Sequence, residues 1–320
     1  EDEPMVDVIG WRLDDVVALI RGPKDTLVRL ELIPTGKGPD ANSKIIRITR
    51  DKIKLEEQAA KMSIIEIKRL EQLVRIGVIQ IPTFYIDFEG RSRGDSDYRS
   101  TTRDTRKLID ELKFSNVDGL VIDLRGNGGG ALTEAISLSG LFISSGPIIQ
   151  IRDARGRIRP RNDPDKGIAY NGPLAVLVDR ESASASEIFA GAMQDYRRGL
   201  IIGEPTFGKG TVQNLIDLDR YSEDDSPVGQ LKITTAQFFR IDGNSTQHRG
   251  IVPDIVLPMT VDSETQGERG LNHALPWAKI AAAKFQHFSD ASVVNELLSA
   301  KTAHEARLAI HPSLLFLRRN

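Results

Sequence analysis

A chain of 320 residues exceeds the roughly 250–300 residues at which a single hydrophobic core stops growing, which favours two or three domains. Its 43 lysines and arginines nearly balance 45 aspartates and glutamates, for a formal net charge of −2. This balance provides no basic field to attract nucleic acid, so nucleic-acid binding is not expected. The absence of cysteine excludes disulfides, thiolate metal sites and cysteine nucleophiles. The sequence contains no apolar run of about 18 residues, so no membrane span is predicted.

The first part of the chain, residues 1–52, predicts a small mixed module. Helical spacing of apolar residues over 7–20 predicts a helix, and two strand-like runs follow at 27–33 and 43–50. One helix and one hairpin bury too little apolar surface to fold alone. We therefore interpret this segment as the later half of a larger module, followed by a linker over 53–75.

From residue 76 the pattern changes to buried strands that alternate with helices. The predicted strands are 76–82, 118–125, 174–178, 200–203 and 231–241. The predicted helices are 101–115, 133–142 and 185–197. Twice, a buried strand passes through a turn of small residues into a helix, which is typical of parallel βαβ units with a site at the carboxyl ends of the strands. Residues 76–258 are predicted to form this core.

The last part of the chain predicts helices. From residue 271 onward the sequence is rich in alanine, and 295–298 and 304–310 have helical character. We therefore expect residues 259–320 to form a helical C-terminal extension.

Ser184 is the candidate nucleophile, because it lies in the second small-residue turn, Ser-Ala-Ser-Ala-Ser-Glu over 182–187. A serine nucleophile needs a base, and all five histidines lie in the last quarter of the chain. The predicted base is therefore Lys209, which lies between two glycines and would need a pKa lowered by burial. The simpler interpretation makes Ser184 and Glu187 a helix capping box and Lys209 an exposed loop residue.

The run Gly126-Asn127-Gly128-Gly129-Gly130 follows the first buried strand of this kind. It lacks the lysine and the serine or threonine that end a P-loop, and it lacks the spacing of a dinucleotide fingerprint. A glycine turn at this place can instead direct backbone N–H groups at a tetrahedral intermediate, as an oxyanion hole does. By itself this signal is weak.

Asp195 invites assignment as a third catalytic group. It lies 11 residues after Ser184, roughly 16 Å along a continuous helix, so the two side chains should not touch. We predict a role at the helix end or in a salt bridge rather than in proton transfer. No cluster of histidine, aspartate and glutamate has the spacing of metal ligands, so no metal is expected.

Taken together and in this order, the motifs resemble the tail-specific, or carboxyl-terminal-processing, serine proteases, and most of all the bacterial periplasmic members. The residues that carry the resemblance are 182–188, 207–213 and 123–130. The resemblance implies Ser184 as nucleophile, Lys209 as general base and Gln213 as the residue that orients the lysine. It also implies that the backbone N–H groups of Gly130 and Ala185 are the oxyanion donors. Asp195 matches an acidic position that is counted with the active site in some members.

The resemblance further implies an α/β (mixed α+β) fold, with a ClpP/crotonase-like βαβ protease core, a partial PDZ module and a helical C-terminal extension. Members hydrolyse peptide bonds without a cofactor and capture the C-termini of unstructured proteins with a PDZ domain. Residues 8–20 correspond to its groove helix, whereas its carboxylate-binding first half has no match here. A periplasmic location, with a signal sequence upstream of residue 1, and a lipoprotein adaptor are also implied.

Two other interpretations stay open. A catalytically silent peptide-binding scaffold could share the fold, although it would not need to keep both Ser184 and Lys209. A crotonase-like acyl-CoA enzyme would account for the glycines at 128–130 as an oxyanion loop, but it leaves the spacing of the serine and the lysine unexplained.

Overall fold

The computed structural model describes residues 5–11, 13–33, 43–51, 58–69, 72–221, 228–257, 267–288 and 291–312. The chain forms two compact units, Glu1–Glu57 and Gln58–Asn320. The boundary between the two units falls inside the segment that the sequence predicts as a linker.

Within its described residues, the first unit contains one helix and one hairpin, as predicted. Helix α1 (Leu13–Ile20) begins later than the predicted residue 7, and β1 (Leu27–Leu32) pairs antiparallel with β2 (Lys44–Thr49). Arg50 ties the helix to the hairpin, because its guanidinium donates to the Ile20 carbonyl at 2.7 Å and to the Leu27 carbonyl at 3.1 Å. The assignment of this unit to part of a PDZ domain stays a prediction.

The second unit alternates strands and helices. Its strands are β3 (Lys61–Arg69), β4 (Gln72–Gln80), β5 (Gly119–Asp123), β6 (Pro147–Asp153), β7 (Ile158–Asn162), β8 (Leu174–Val178), β9 (Leu200–Gly203), β10 (Thr211–Asp217), β11 (Gln230–Phe239) and β12 (Ile255–Val256). Its helices are α2 (Phe88–Arg93), α3 (Thr101–Phe114), α4 (Leu132–Gly140), α5 (Ala185–Asp195) and α6 (Ala291–Ile310).

The larger sheet has six strands in the order β12-β9-β8-β5-β4-β3, and all neighbouring pairs are parallel except β3 with β4. The central strands β5 and β8 are short apolar runs, as expected where helices cover both faces of a parallel sheet. Strand β5 leads into α4 and β8 leads into α5, so the predicted α/β class with two βαβ units is confirmed. The two helices pack together, and Phe142, two residues after α4, lies edge-on to Phe189 of α5 at 5.7 Å between ring centroids.

The smaller sheet is antiparallel, in the order β10-β11-β6-β7. Only β11 is predicted from the sequence. Strand β7 is exposed along its whole length, and the middle of β10 is exposed too. Neither strand therefore has the continuous apolar pattern that identifies the buried strands of the larger sheet.

Part of the predicted linker, 53–75, is sheet. Residues 61–69 form β3 and residues 72–75 open β4, with Lys61 opposite Gln80 and Arg69 opposite Gln72. Every residue of β3 is exposed, because β3 is an edge strand with a partner on one side only. Such a strand carries little of the burial pattern on which a prediction from sequence depends.

The segment from 271 to 288 is also not helical, contrary to the prediction. It runs extended along the core, where the Ile280 amide donates to the Gly243 carbonyl at 2.9 Å and the Ala283 amide to the Ile241 carbonyl at 2.8 Å. These bonds to the core replace the bonds that a helix would make within itself. The two helices predicted at 295–298 and 304–310 belong to the single helix α6. Residues 259–266, 289–290 and 313–320 of the predicted extension lie outside the described residues.

None of the helices in the described ranges combines the length and the hydrophobicity that a membrane crossing requires.

Candidate active site

Two turns meet at the carboxyl edge of the larger sheet. The glycine turn, residues 126–130, follows β5, and the serine turn, residues 182–186, follows β8. Because β5 and β8 are paired neighbours, their carboxyl ends bring the turns together. The contact is close: a Cβ on Gly129 would lie 3.0 Å from the Ser184 Cβ and 3.1 Å from the Ala185 nitrogen.

Ser184 precedes helix α5 in a strained conformation, with φ 55° and ψ −107°. A residue that only caps a helix normally has an extended backbone. Strain of this kind costs about 1–3 kcal/mol and persists where the surrounding structure enforces it, often at functional sites. A strained strand-to-helix turn that presents a serine is typical of nucleophile elbows. The Glu187 carboxyl does accept from the Ser184 amide, as in the predicted capping box, but a capping box alone does not account for this backbone geometry.

The other two serines of the turn have structural partners. The Ser182 hydroxyl donates to the Leu124 carbonyl and the Ser186 hydroxyl donates to the Asn127 carbonyl, both at 2.8 Å. Both side chains are fully buried, whereas Ser184 between them is partly accessible. Two of the three serines are therefore buried and bound to backbone carbonyls, whereas the middle one, Ser184, remains accessible to a substrate.

The backbone N–H groups of Gly130 and Ala185 are the predicted oxyanion donors. The Phe84 amide donates to the Gly129 carbonyl at 2.9 Å, and the Ala131 amide donates to the Phe84 carbonyl at 2.8 Å. In this parallel bridge the N–H of Gly130 itself points away from Phe84. Ala185 is the first residue of α5, and within the described residues neither N–H has an acceptor. Both can therefore donate to a developing oxyanion.

Gly130 must be glycine. Its φ of 143° lies in a region that side chains rarely allow, and a Cβ there would lie 2.2 Å from the Phe84 carbonyl oxygen. Gly130 thus permits the close approach of two backbones.

Lys209 lies in the lysine turn, residues 206–210, which leads into β10 of the smaller sheet. Its Nζ donates to Gln213 Oε1 at 3.3 Å. Partial burial lowers the pKa of Lys209, and the Lys232 ammonium lowers it further, while Glu268 and Glu187 oppose this shift. The net direction favours the neutral amine that a general base requires.

Among the described residues, no hydrogen bond joins the Lys209 amine to the Ser184 hydroxyl. Catalytic hydrogen bonds are often long in unliganded enzymes and tighten when substrate binds.

Glu187 joins the serine turn to the lysine turn. Its Oε2 accepts from the Ser184 amide at 2.8 Å and from the Lys209 amide at 3.0 Å. Its Oε1 accepts from the Thr206 hydroxyl and the Gly208 amide, both at 2.7 Å. The carboxyl is completely buried, and burial raises its pKa to about 7, against the opposing effect of these four bonds. The backbones of Ser184 and Lys209 are therefore neighbours, bound to one oxygen atom.

The sequence marks Glu187 only as the acid of a capping box. The signal that could have identified its role is an acidic residue among the small and apolar residues 183–193, because buried acids are rare unless they are paired.

The lysine turn is also held by residues 246–248, which no sequence pattern connects with it. The Gly210 amide donates to Gln247 Oε1 at 2.8 Å, and the Thr246 hydroxyl donates to the Lys209 carbonyl at 3.1 Å. The His248 amide donates to the Gly208 carbonyl at 2.8 Å. The backbone of His248 thus lies beside the lysine turn, although all five histidines are remote from that turn in sequence.

Asp195 lies at the far end of α5 and forms a buried ion pair with Arg240. Arg240 Nε donates to Asp195 Oδ2 at 3.2 Å, and Arg240 Nη2 also donates to Gln194 Oε1 at 2.9 Å. Burial raises the pKa of Asp195, and Arg240 opposes this shift. The structure therefore places Asp195 in a salt bridge at the helix end, apart from the two turns.

Across the described ranges, no group of three or more histidine, cysteine, aspartate or glutamate residues is arranged to hold a metal ion.

Comparison with known proteins gives a family and several relatives. The family model described as Peptidase family S41 matches residues 75–257. The tail-specific protease of Haemophilus influenzae is 44% identical over 313 residues, which cover 97% of this chain and 42% of that protein. The carboxy-terminal-processing protease of Bartonella bacilliformis is 33% identical over 265 residues, which cover 81% of this chain and 54% of that protein.

A solved structure agrees with these relatives. The photosystem II D1 C-terminal processing protease superposes with a TM-score of 0.56 at 28% identity, over 78% of this chain and 60% of that chain. The chain spans about half the length of the two relatives in sequence.

Proposed function

Because this chain belongs to peptidase family S41, we propose that it is a serine endopeptidase in which Ser184 is the nucleophile and Lys209 the general base. The observation that carries the proposal is the single Glu187 oxygen that accepts from the amides of both residues. The strained backbone of Ser184 supports it further, because a silent scaffold has no use for that strain.

In the proposed reaction, neutral Lys209 takes the proton of the Ser184 hydroxyl while Oγ attacks the scissile carbonyl carbon. The N–H groups of Gly130 and Ala185 donate to the resulting oxyanion. The lysine ammonium then protonates the departing amine, which leaves an acyl group on Ser184. Lys209 next accepts a proton from a water molecule as that water attacks the acyl carbon, and it returns the proton to Ser184 Oγ as the acid product leaves. Gln213 orients the amine through its bond to Nζ.

The proposed substrates are unstructured proteins that are cleaved from their C-terminal regions, since the relatives are named for tail-specific and carboxy-terminal processing. We assign residues 1–52 to the later half of a PDZ domain, 76–258 to the protease core and 259–320 to a C-terminal extension. A periplasmic location and a lipoprotein adaptor are part of the same proposal. A crotonase-like acyl-CoA enzyme is the competing class, and binding of coenzyme A would support it.

The test is cleavage of casein, an unfolded protein, by the wild type and by Ser184→Ala. We expect a fall in kcat of up to roughly 10⁶-fold, because the nucleophile is lost. A serine-directed phosphonate should label the wild type at Ser184 and leave the variant unlabelled, as read by mass spectrometry.

The matched control is Ser139→Ala, which removes a buried serine that donates to the Ala135 carbonyl of its own helix. It should retain cleavage. Undiminished cleavage by Ser184→Ala would refute the proposed function.

A further inference from the structure

Asn127 is a fully buried residue, the second of the glycine turn, and the proposed reaction gives it no task. Its side chain is bound at both ends. Nδ2 donates to the Ile81 carbonyl at 2.7 Å, and Oδ1 accepts from the Gly129 amide at 2.9 Å. The side chain thus ties the glycine turn to the segment that follows β4.

The backbone carbonyl of Asn127 holds the serine turn. It accepts from the Ala183 amide at 3.0 Å and from the Ser186 hydroxyl at 2.8 Å. These two residues lie on either side of Ser184 and Ala185. A single residue therefore binds both turns, through its side chain on one and its carbonyl on the other.

The groups that Asn127 holds adjoin the two oxyanion donors. Gly129 directly precedes Gly130, and Ala185 lies between Ala183 and Ser186, which both donate to the Asn127 carbonyl. Oxyanion donors act only when they are fixed about 2.7–3.1 Å from the position of the developing charge, so their spacing must be held before the reaction.

We propose that Asn127 is a positioning residue that sets the spacing of the Gly130 and Ala185 N–H groups. The inference rests on the proposed function, since it assigns these two groups to the oxyanion. In this role Asn127 acts through the two turns and not by contact with the reacting atoms.

The chemistry of the position explains why asparagine serves it. The site presents a carbonyl acceptor, Ile81, and an amide donor, Gly129, and a carboxamide offers one donor end and one acceptor end without charge. An ionised carboxylate would place a buried charge against the Ile81 carbonyl, and an alanine would leave both partners unpaired.

The experiment compares Asn127→Ala and Asn127→Asp with the wild type, all as the full chain, with Ser139→Ala as the control for loss of a buried hydrogen bond. Steady-state cleavage of an internally quenched peptide gives kcat and KM per folded molecule, with the folded fraction measured by circular dichroism. For Asn127→Ala we expect a fall in kcat of roughly 10–10²-fold with little change in KM, because donor placement matters in the transition state only.

A peptide aldehyde provides a second measurement, since its adduct with Ser184 carries a tetrahedral oxygen at the same position. Its inhibition constant should rise in Asn127→Ala by about the factor by which kcat falls. In Asn127→Asp, the ratio of variant to wild-type kcat should decrease as pH rises through the titration of the new carboxyl. The protonated acid can replace the amide donor, whereas the carboxylate cannot.

An active wild type would overturn the inference if Asn127→Ala retained kcat per folded molecule, or if it lost peptide affinity and aldehyde affinity equally. A wild type that cleaves nothing and takes no phosphonate label would refute the proposed function and the inference together. An Asn127→Ala protein that does not fold moves the decision to Asn127→Asp, where a pH-independent ratio of kcat values would overturn the inference.

Discussion

The largely parallel sheet and the antiparallel sheet contribute different halves of the candidate site. The largely parallel sheet carries the proposed nucleophile and the proposed oxyanion donors on two turns whose supporting residues, Asn127, Ser182 and Ser186, are fully buried. The antiparallel sheet begins with the lysine turn, where Lys209 is half-buried and its partner Gln213 is exposed. In the proposed reaction the buried half stabilises an anion, and the more accessible half moves a proton.

Glu187 connects these halves, because its carboxyl group binds both the serine turn and the lysine turn. A carboxylate that accepts four hydrogen bonds from both turns can fix their separation without covering the serine. The cost is the burial of an ionisable group, which is seen in its raised pKa. If the two halves play different parts, their variants should differ in pH dependence as well as in the size of the loss.

Loss of the base should give the largest effect within the antiparallel half. For Lys209→Met we expect kcat to fall by roughly 10²–10⁴-fold, because general-base assistance disappears. In the wild type, kcat/KM should rise with pH as the ammonium loses its proton. The midpoint should lie below the ordinary lysine value of 10.5, since burial lowers the pKa of Lys209. A pH–rate profile measures both.

Lys209→Arg is the matched control for Lys209→Met, because it keeps a positive charge that does not deprotonate near neutral pH. It should be as inactive as the methionine variant. Retained activity in the arginine variant would show that charge, and not proton transfer, is what the lysine supplies.

An intermediate effect is expected at the connection between the halves. Glu187→Gln places an NH₂ group where one carboxylate oxygen now accepts two bonds, so two of the four donors lose their acceptor. We expect kcat to fall by roughly 10–10²-fold, because the oriented nucleophile and base separate. Glu134→Gln is the control, since Glu134 is also buried and accepts from the Thr102 amide at 2.8 Å.

The stability of the wild type and that of Glu187→Gln should also depend differently on pH. Glu187 has a folded pKa of about 7 against an ordinary value of 4.5, so between these values the folded protein keeps a proton that the unfolded chain releases. The contribution of Glu187 to stability therefore decreases as pH rises from 4.5 to 7. Thermal unfolding midpoints should show this decrease in the wild type and lack it in Glu187→Gln. Parallel curves for the two proteins would contradict the assignment.

The smallest effect is expected at Gln213, which is exposed and makes a single bond to the amine. Gln213→Ala should lower kcat by roughly fivefold, the equivalent of about 1 kcal/mol for one hydrogen bond. Gln213→Glu should move the rise in kcat/KM to higher pH, because a carboxylate stabilises the ammonium. Asn214→Ala, on the opposite face of β10, should change neither. Equal losses at 213 and 214 would indicate that only the hairpin is disturbed.

The success of sequence-based prediction differs between the same two regions. Strands β5 and β8 are continuous apolar runs with a helix after each, so their pattern predicts the parallel sheet and the turns that carry Gly130 and Ser184. Strands β3 and β7 are exposed throughout, and the segment 271–288 is extended only because it pairs with the core. Local pattern carries no record of such partners.

By itself, the sequence determined the α/β class and the candidate pair Ser184 and Lys209, because a buried strand, a small-residue turn and a base between glycines are all local patterns. Only the tertiary structure decided that Glu187 binds both turns, that Asp195 pairs with Arg240 and that residues 246–248 hold the lysine turn. The physical reason is that each of these is a contact between segments distant in sequence. Its partner is fixed by how the whole chain packs and not by the spacing of neighbouring residues.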